Sequence, residues 1–446
     1  MFRMARILIA LCAGLFLAAR FPISYPYATA VQLPVHNIDS GLDYATIQEA
    51  INATQTVDGN TITVDAGTYY EHVAVNKRLK LVGAGQDLTI VDGNGTGSVI
   101  SVSVGNSRIS GFTVQNGLWG VDLDHIQNAS VDNNTVLSCF SSGGRGIFVW
   151  GSLDCTIANN TVVSNNEAGI ELWQSSGILI VNNEVESNMH GIYLLIDSIG
   201  NVIEGNIVKK NPQGIVASFY CNNNTIAGNN VSESSLGGIV MGGAYNNSIY
   251  HNNLFGNSVQ AWVYGGSINL WDDGAEGNFW SDYVGTDLNE DGIGDVSRVI
   301  DALNQDGFPL MAPFSSFSVM FGEKICTITT ICNSTISGFA FDQAEREITF
   351  NVSAPDGTIG FCRIQFPKAL INAPYSVLVN YMPPRTLKEL PASNSTYVAL
   401  YFTYLHSTRY VQIVSEFSTF MLGLTLTVAT VATLTILLSR LKAGEK

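Results

Sequence analysis

From residue 119 onward, short apolar runs alternate with polar pairs on a fixed beat: Gly-Ile-Phe-Val-Trp from Gly146, Gly-Ile-Glu-Leu-Trp from Gly169 and Gly-Ile-Tyr-Leu-Leu from Gly191. Inside each run the apolar residues recur at every second position and are rich in β-branched and aromatic types, which predicts strands with one buried face. Between the runs stand asparagine words: "NNTV" at Asn133 and Asn159, "NNEV" at Asn182, "GNIV" at Gly205, "NNVS" at Asn229 and "NNLF" at Asn252. Aligning the second asparagine of each word gives Asn134, Asn160, Asn183, Asn206, Asn230 and Asn253, at spacings of 26, 23, 23, 24 and 23 residues. A second marker keeps the same step, since glycine recurs at Gly120, Gly146, Gly169, Gly191, Gly214 and Gly238. Repetition at this period predicts stacked units, and strands with turns but no helical periodicity make each unit one turn of a parallel β-helix.

Stacking at about 4.8 Å places like positions above one another. An asparagine column can then pass hydrogen bonds from turn to turn and tolerate a left-handed corner, while glycine is expected to supply the other corner. The inward columns read Val121, Ile147, Ile170, Ile192, Ile215, Ile239 and Leu123, Val149, Leu172, Leu194, Ala217, Met241.

These "NNTV…GI.L" units resemble the right-handed parallel β-helix of the pectin-lyase-like superfamily, in particular its NosD-like group, over about Ile38 to Met311. The opening "YATIQEAINATQTVDGNTITVDAGTYYEHVAVNKRLKLVGAG" is similar to the start of that superfamily. The resemblance implies a capping helix over about residues 45–53, followed by strands at Thr61–Val64 and Leu79–Val82. The segment "GNFWSDYVGTDLNEDGIGDVSRVIDALNQDGFPLM" resembles the end of NosD-like proteins of archaea. The fold hosts lyases, hydrolases, binding modules and adhesins alike, so it leaves activity open.

The texture changes after the array. Runs such as "REITFNVSA", "GFCRIQFP" and "YSVLVNY", separated by Pro, Gly and Asn, predict a small β-sandwich over residues 314–414. At the start, Arg3 and Arg6, an apolar run and "ATA" at Ala28 predict a signal peptide over residues 1–30, leaving the β-helix domain as 31–313. Residues 420–438 form a nineteen-residue stretch without charge. As a helix it is about 28 Å long, enough to cross a bilayer. Arg440, Lys442 and Lys446 then mark residues 439–446 as a cytoplasmic tail, with the bulk of the chain extracellular. The expected class is therefore all-β, with one C-terminal transmembrane helix.

Across 446 residues, 21 basic against 37 acidic side chains give a net charge of −16, which argues against nucleic acid as a partner. Beyond the signal lie Cys139, Cys155, Cys221, Cys326, Cys332 and Cys362; their pairing stays open, with Cys332–Cys362 or Cys326–Cys362 as candidates. Asn333, Asn351 and Asn394 are the candidate glycosylation sites outside the array.

The outward positions between core residues bring aromatics and carboxylates together: Asp122, Phe148, Glu171 and Tyr193 in one column, Asp124, Trp150 and Trp173 beside it. Rings with neighbouring acceptors suit a sugar chain, so Phe148, Trp150, Trp173 and Tyr193 are the expected glycan-binding residues. Asp122, Asp124 and Glu171 are the candidate catalytic carboxylates. At about 6.7 Å along the strand and about 9.6 Å across two turns they fall near the separations of about 5–10 Å used in glycoside hydrolysis. The polygalacturonase series "NTD…DD…GHG…RIK" is absent, and Met189-His190-Gly191 reads as a surface histidine.

The resemblance also raises copper, which needs clustered soft or imidazole donors, whereas His36, His72, His125, His190, His251 and His406 stand singly. Calcium has one candidate, "DLNEDGIGD", in which Asp287, Asn289 and Asp291 match the first half of a calcium loop, and Asp295 would have to complete it. The expected function is a membrane-anchored extracellular protein binding polysaccharide or surface glycan without catalysis. A polysaccharide-degrading enzyme, a copper accessory protein and a structural surface-layer or adhesion protein are the alternatives.

Overall fold

The computed structural model describes residues 33–140 and 142–415. The expected signal peptide at 1–30, transmembrane helix at 420–438 and tail at 439–446 lie outside them. Among the described residues no helix is long and apolar enough to cross a membrane.

The array folds as a right-handed parallel β-helix with three faces of eleven, ten and nine strands. Each turn contributes one strand to each face in chain order, as in Thr156–Ala158, Thr161–Val163 and Ala168–Trp173. Both inward columns of the third face are fully buried. At the N-terminal end the helix Ile47–Asn52 closes the barrel with Ile47, Ala50 and Ile51. A shifted form of the capping box holds it: the Thr46 hydroxyl accepts from the Glu49 amide at 3.1 Å, and the Glu49 carboxylate accepts from the amide of Ala45, one residue before the cap, at 3.1 Å.

The two letters of the asparagine word do different jobs. The first takes the left-handed corner, with φ of 55° at Asn133, 55° at Asn159 and 54° at Asn182, and Gly205 and Gly228 fill that place in later turns. The second builds the ladder. From Asn134 through Asn160, Asn183, Asn206, Asn229 and Asn252 to Asn278, the backbone and side-chain amides of each residue donate to the side-chain carbonyl of the next at 2.9–3.1 Å. The ladder ends on Asp306, whose carboxylate accepts from the Asn278 amide at 2.8 Å and the Trp280 indole at 2.7 Å.

The expected column is thereby corrected at its end, where Asn229 and Asn252 replace Asn230 and Asn253. The physical repeat is a constant 23 residues there, because the left-handed corner moves to Gly228 and His251. Two shorter ladders, Asn165–Asn188–Asn211 and Asn201–Asn224–Asn247–Asn269–Asn304, run beside it.

The glycine column also needs a different reason. Gly120, Gly146, Gly169, Gly191, Gly214 and Gly238 have no positive φ, so they are not corners. A Cβ on Gly146 would stand 2.6 Å from the Gly169 carbonyl oxygen and 2.5 Å from the Val162 side chain, so it is space, not backbone freedom, that demands glycine.

Residues 314–415 form a sandwich of a five-stranded antiparallel sheet, ordered Phe314–Phe321, Lys324–Cys332, Ile359–Pro367, Tyr397–Leu405, Thr386–Glu389, and a four-stranded one, ordered Thr335–Asp342, Glu347–Ser353, Arg409–Ser415, Tyr375–Val379. Phe350, Phe366 and Phe402 fill its core. Cys332 and Cys362 face each other across adjacent strands as free thiols, while Cys326 is opposite Val319.

Asn253, displaced from the ladder, fixes the junction instead: it accepts from the Phe314 amide at 2.7 Å and donates to the Phe314 carbonyl at 2.8 Å. Beside it the buried Arg363 holds Glu276 at 2.5 Å and donates to the Asp291 carbonyl at 3.0 Å. The His251 ring stacks on Phe314 at 4.0 Å.

Candidate functional site

The third face carries three outward columns over its central strands Trp119–Asp124, Arg145–Trp150, Ala168–Trp173, His190–Leu195 and Gln213–Ser218. The register places Asp122, Phe148, Glu171, Tyr193 and Val216 in line, with Asp124, Trp150, Trp173, Leu195 and Ser218 alongside. The sequence-derived site residues are thus brought together as two adjacent rows. A third row, Trp119, Arg145, Ala168, His190 and Gln213, completes the face.

Facing outward does not mean being exposed. Glu171 is fully buried, Phe148 is 4% exposed and Asp122 8% exposed, because side chains stacked one turn apart cover one another. The ring of Trp119 lies 5.0 Å from that of Phe148, the Arg145 guanidinium stands 4.8 Å above Phe148, and Trp173 meets Phe148 edge-on at 6.5 Å. Phe148 is therefore not an open sugar platform, a correction to the expectation. Among the expected binding residues Trp150 is exposed, while Trp173 and Tyr193 are half-buried. Trp262 and Tyr264 extend the face as exposed rings 5.5 Å apart. The Tyr264 ring lies over Gly242, where a Cβ would meet it at 2.0 Å, and reaches to 3.3 Å from the Ser218 hydroxyl.

The polar groups here are incompletely partnered. The Asp122 carboxylate accepts from the Ser98 hydroxyl at 3.2 Å through one oxygen, and its other oxygen has no partner. Arg145 donates to Glu171 at 2.7 Å and lies 3.9 Å from Glu167, while the second Glu171 oxygen is unpaired. The Trp119 indole nitrogen and the His190 Nδ1 are likewise buried without a partner. Burial pushes the Asp122 carboxyl up to about 6 against the Ser98 hydrogen bond, with Asp124 adding to the rise. Burial also raises Glu171 despite Arg145, and lowers His190 so that its imidazole is neutral near pH 7. Tyr193 is pushed up to about 12 by burial and then by Glu171. His190 is thus not the surface histidine expected; its ring packs 4.5 Å from Tyr193. Asp124 is exposed and bonded to His125 at 2.5 Å.

Sequence reading passed over Trp119 and Arg145 and took His190 for a surface residue, although each stands immediately before a column glycine. Reading the position before that glycine as a column would have found them. Trp262 and Tyr264 follow the last word without the glycine marker.

The calcium candidate is a loop closed on itself. Asp287 accepts from the Asp291 and Gly292 amides at 3.0 and 2.8 Å, Asp291 accepts from the Ile293 amide at 2.9 Å, and Asp295 from the Leu288 amide at 2.7 Å. The Asn289 amide donates to Asp291 at 3.2 Å. Among the described residues no group of three or more His, Cys, Asp or Glu side chains could hold a metal ion.

A β-helix built on asparagine ladders, with an aromatic and acidic third face, defines the class. Residues 55–285 match the family described as periplasmic copper-binding protein (NosD), and the chain belongs to that family. Its imidazoles do not converge toward copper: His36 is bonded to Asp43, His72 to the Ser98 carbonyl and His251 to Glu276, each in a separate place. The chain is 34% identical over 109 residues to a cell surface glycoprotein of Methanothermus fervidus, a match covering 24% of this chain and 18% of that one, so it spans less than a fifth of that relative's length. Similar solved structures include the A-module of the Azotobacter vinelandii mannuronan C-5 epimerase AlgE4, at 17% identity over 53% of this chain and 75% of that one with a TM-score of 0.38. Pectate lyase Pel9A is another, at 14% identity over 57% and 82% with a TM-score of 0.40.

Proposed function

We propose that this chain is a membrane-anchored extracellular protein whose third face binds polysaccharide or surface glycan without cleaving it. The observation that carries the reading is the set of exposed rings, Trp150 near one end and Trp262 with Tyr264 near the other, on the same sheet face as carboxylates and unpaired polar atoms. Apolar faces of sugar rings stack on such side chains, and sugar hydroxyls complete the missing hydrogen bonds. The cell surface glycoprotein relative supports an extracellular setting, and the uncharged stretch at 420–438 supports the anchor.

One observation favours catalysis instead: the raised Asp122 carboxyl would hold a proton to donate below about pH 6. Against it, the other carboxylates of the three columns are engaged. Glu171 is buried and held by Arg145, and Asp124 is bonded to His125. The test is a glycan array probed with the purified full chain, with reducing-sugar and unsaturated-product release measured in the same wells. Binding without release, weakened about tenfold by Trp150→Ala, is the expected result. Product release that disappears in Asp122→Asn would replace the binding reading with an enzymatic one. Absence of binding to every glycan would remove both.

A further inference from the structure

Resting on the glycan reading of the third face, we propose that its ligand is an uncharged or amino-bearing sugar chain, and that polyuronates and sulfated glycans are excluded. The argument begins with which hydrogen bonds are missing. One oxygen each of Asp122 and Glu171 needs a donor, and the Trp119 indole N–H needs an acceptor. A sugar hydroxyl can serve both kinds and an amine serves the carboxylates, whereas a uronate carboxylate or a sulfate only accepts and leaves a polyanion its remaining hydroxyls alone for these oxygens, so charge decides between the classes. These atoms are closed to solvent, so a sugar would meet them only where a covering side chain turns aside.

Charge points the same way. Across the three columns the acidic groups are Asp122, Asp124 and Glu171, and the one cationic side chain among the described residues there is Arg145. Arg145 is already held by Glu171 at 2.7 Å, with Glu167 at 3.9 Å. The lysines of the neighbouring second face, Lys209 and Lys210, are paired with Glu184 and Glu186 at 2.6–3.1 Å. Burial lowers the His190 imidazole, so it adds no positive charge at neutral pH. A polyanion laid along this face would meet exposed Asp124, whose basic partner is the His125 imidazole at 2.5 Å, and no unpaired lysine or arginine among the described residues of the face, within the roughly 8–10 Å over which charges act at moderate salt.

The test compares binding of the full chain to a neutral β-glucan, to chitosan and to polygalacturonate at low ionic strength. The expected result is measurable binding to the glucan and tighter binding to chitosan, with polygalacturonate at least tenfold weaker than the glucan. Asp124→Asn, at an exposed position, should weaken chitosan and strengthen polygalacturonate, each by a few-fold. Polygalacturonate binding as tight as the glucan, or an anion gap unchanged by both Asp124→Asn and high salt, would overturn the class of ligand while leaving glycan binding intact. Failure to bind any of the three would overturn the glycan reading itself.

Discussion

The asparagine ladders and the third face are both polar regions of one solenoid, yet they treat hydrogen bonds in opposite ways. Every ladder residue from Asn134 to Asn252 passes its amides to the next residue, and the terminal Asn278 passes its backbone amide to Asp306. On the third face four buried polar atoms, on Trp119, Asp122, Glu171 and His190, are left without partners. An unpaired buried group costs about 1–3 kcal/mol. Single unpartnered atoms occur elsewhere among the described residues, the Ser234 hydroxyl in a ladder column among them, but on the third face four lie on neighbouring strands of one sheet, where one bound chain could reach several together.

The contrast can be broken most forcefully in the ladder. Asn206→Leu strands both donors of Asn183 and removes the side-chain donor given to Asn229, leaving the backbone one, and should cost about 3–5 kcal/mol in denaturant unfolding. A loss below about 1 kcal/mol would show that the ladder bonds are readily replaced by water.

Steric demand comes next. Gly169→Ala would bring a Cβ 2.8 Å from the Gly191 carbonyl oxygen and 2.5 Å from the Val185 side chain, and should cost about 1–3 kcal/mol with the glycan-binding profile retained.

On the third face the sign reverses. Asp122 has a folded pKa of about 6 against an ordinary 3.8, so its folded form favours the proton. Its contribution to stability is therefore greatest below about 3.8 and is lost as pH rises through about 6. Asp122→Asn should stabilise the protein by about 1–2 kcal/mol at pH 7.5 and make little difference near pH 3.5, as read from melting curves at the two pH values. Destabilisation at pH 7.5 would mean that the ionised carboxylate is structural.

The smallest effect on stability should come from Trp150→Ala, at about 1 kcal/mol or less, because the partly exposed ring touches His125 and Gln174 rather than the core. Glycan affinity should nevertheless fall about tenfold in the same variant. Equal affinity in mutant and wild type would move the binding surface toward Trp262 and Tyr264.

Sequence periodicity made the solenoid legible because a stacked turn must repeat its solution. The inward Val, Ile and Leu columns, the second letter of the early asparagine words and the glycine step are each forced by the residue one turn away. That forcing is also why the reading slipped at Asn230 and Asn253. Where the corner residue changed to Gly228 and His251, the two-letter word no longer marked its own register, and only the hydrogen bonds show that Asn229 and Asn252 carry the ladder. The site was legible by face but not by depth. Alternation along a strand tells which way Asp122, Phe148 and Glu171 point, yet whether they meet solvent depends on the length and tilt of side chains on neighbouring turns.

The sequence by itself therefore determined the repeat, the core and the face on which aromatics and carboxylates gather, since these follow from a local period imposed by stacking. Only the tertiary structure decided that Arg145 closes over Glu171, that Asp306 ends the ladder and that Asn253 is given up to the sandwich. Each of these joins residues whose partnership no local period encodes, and burial, which sets their charge and their need for partners, is a property of the assembled surface.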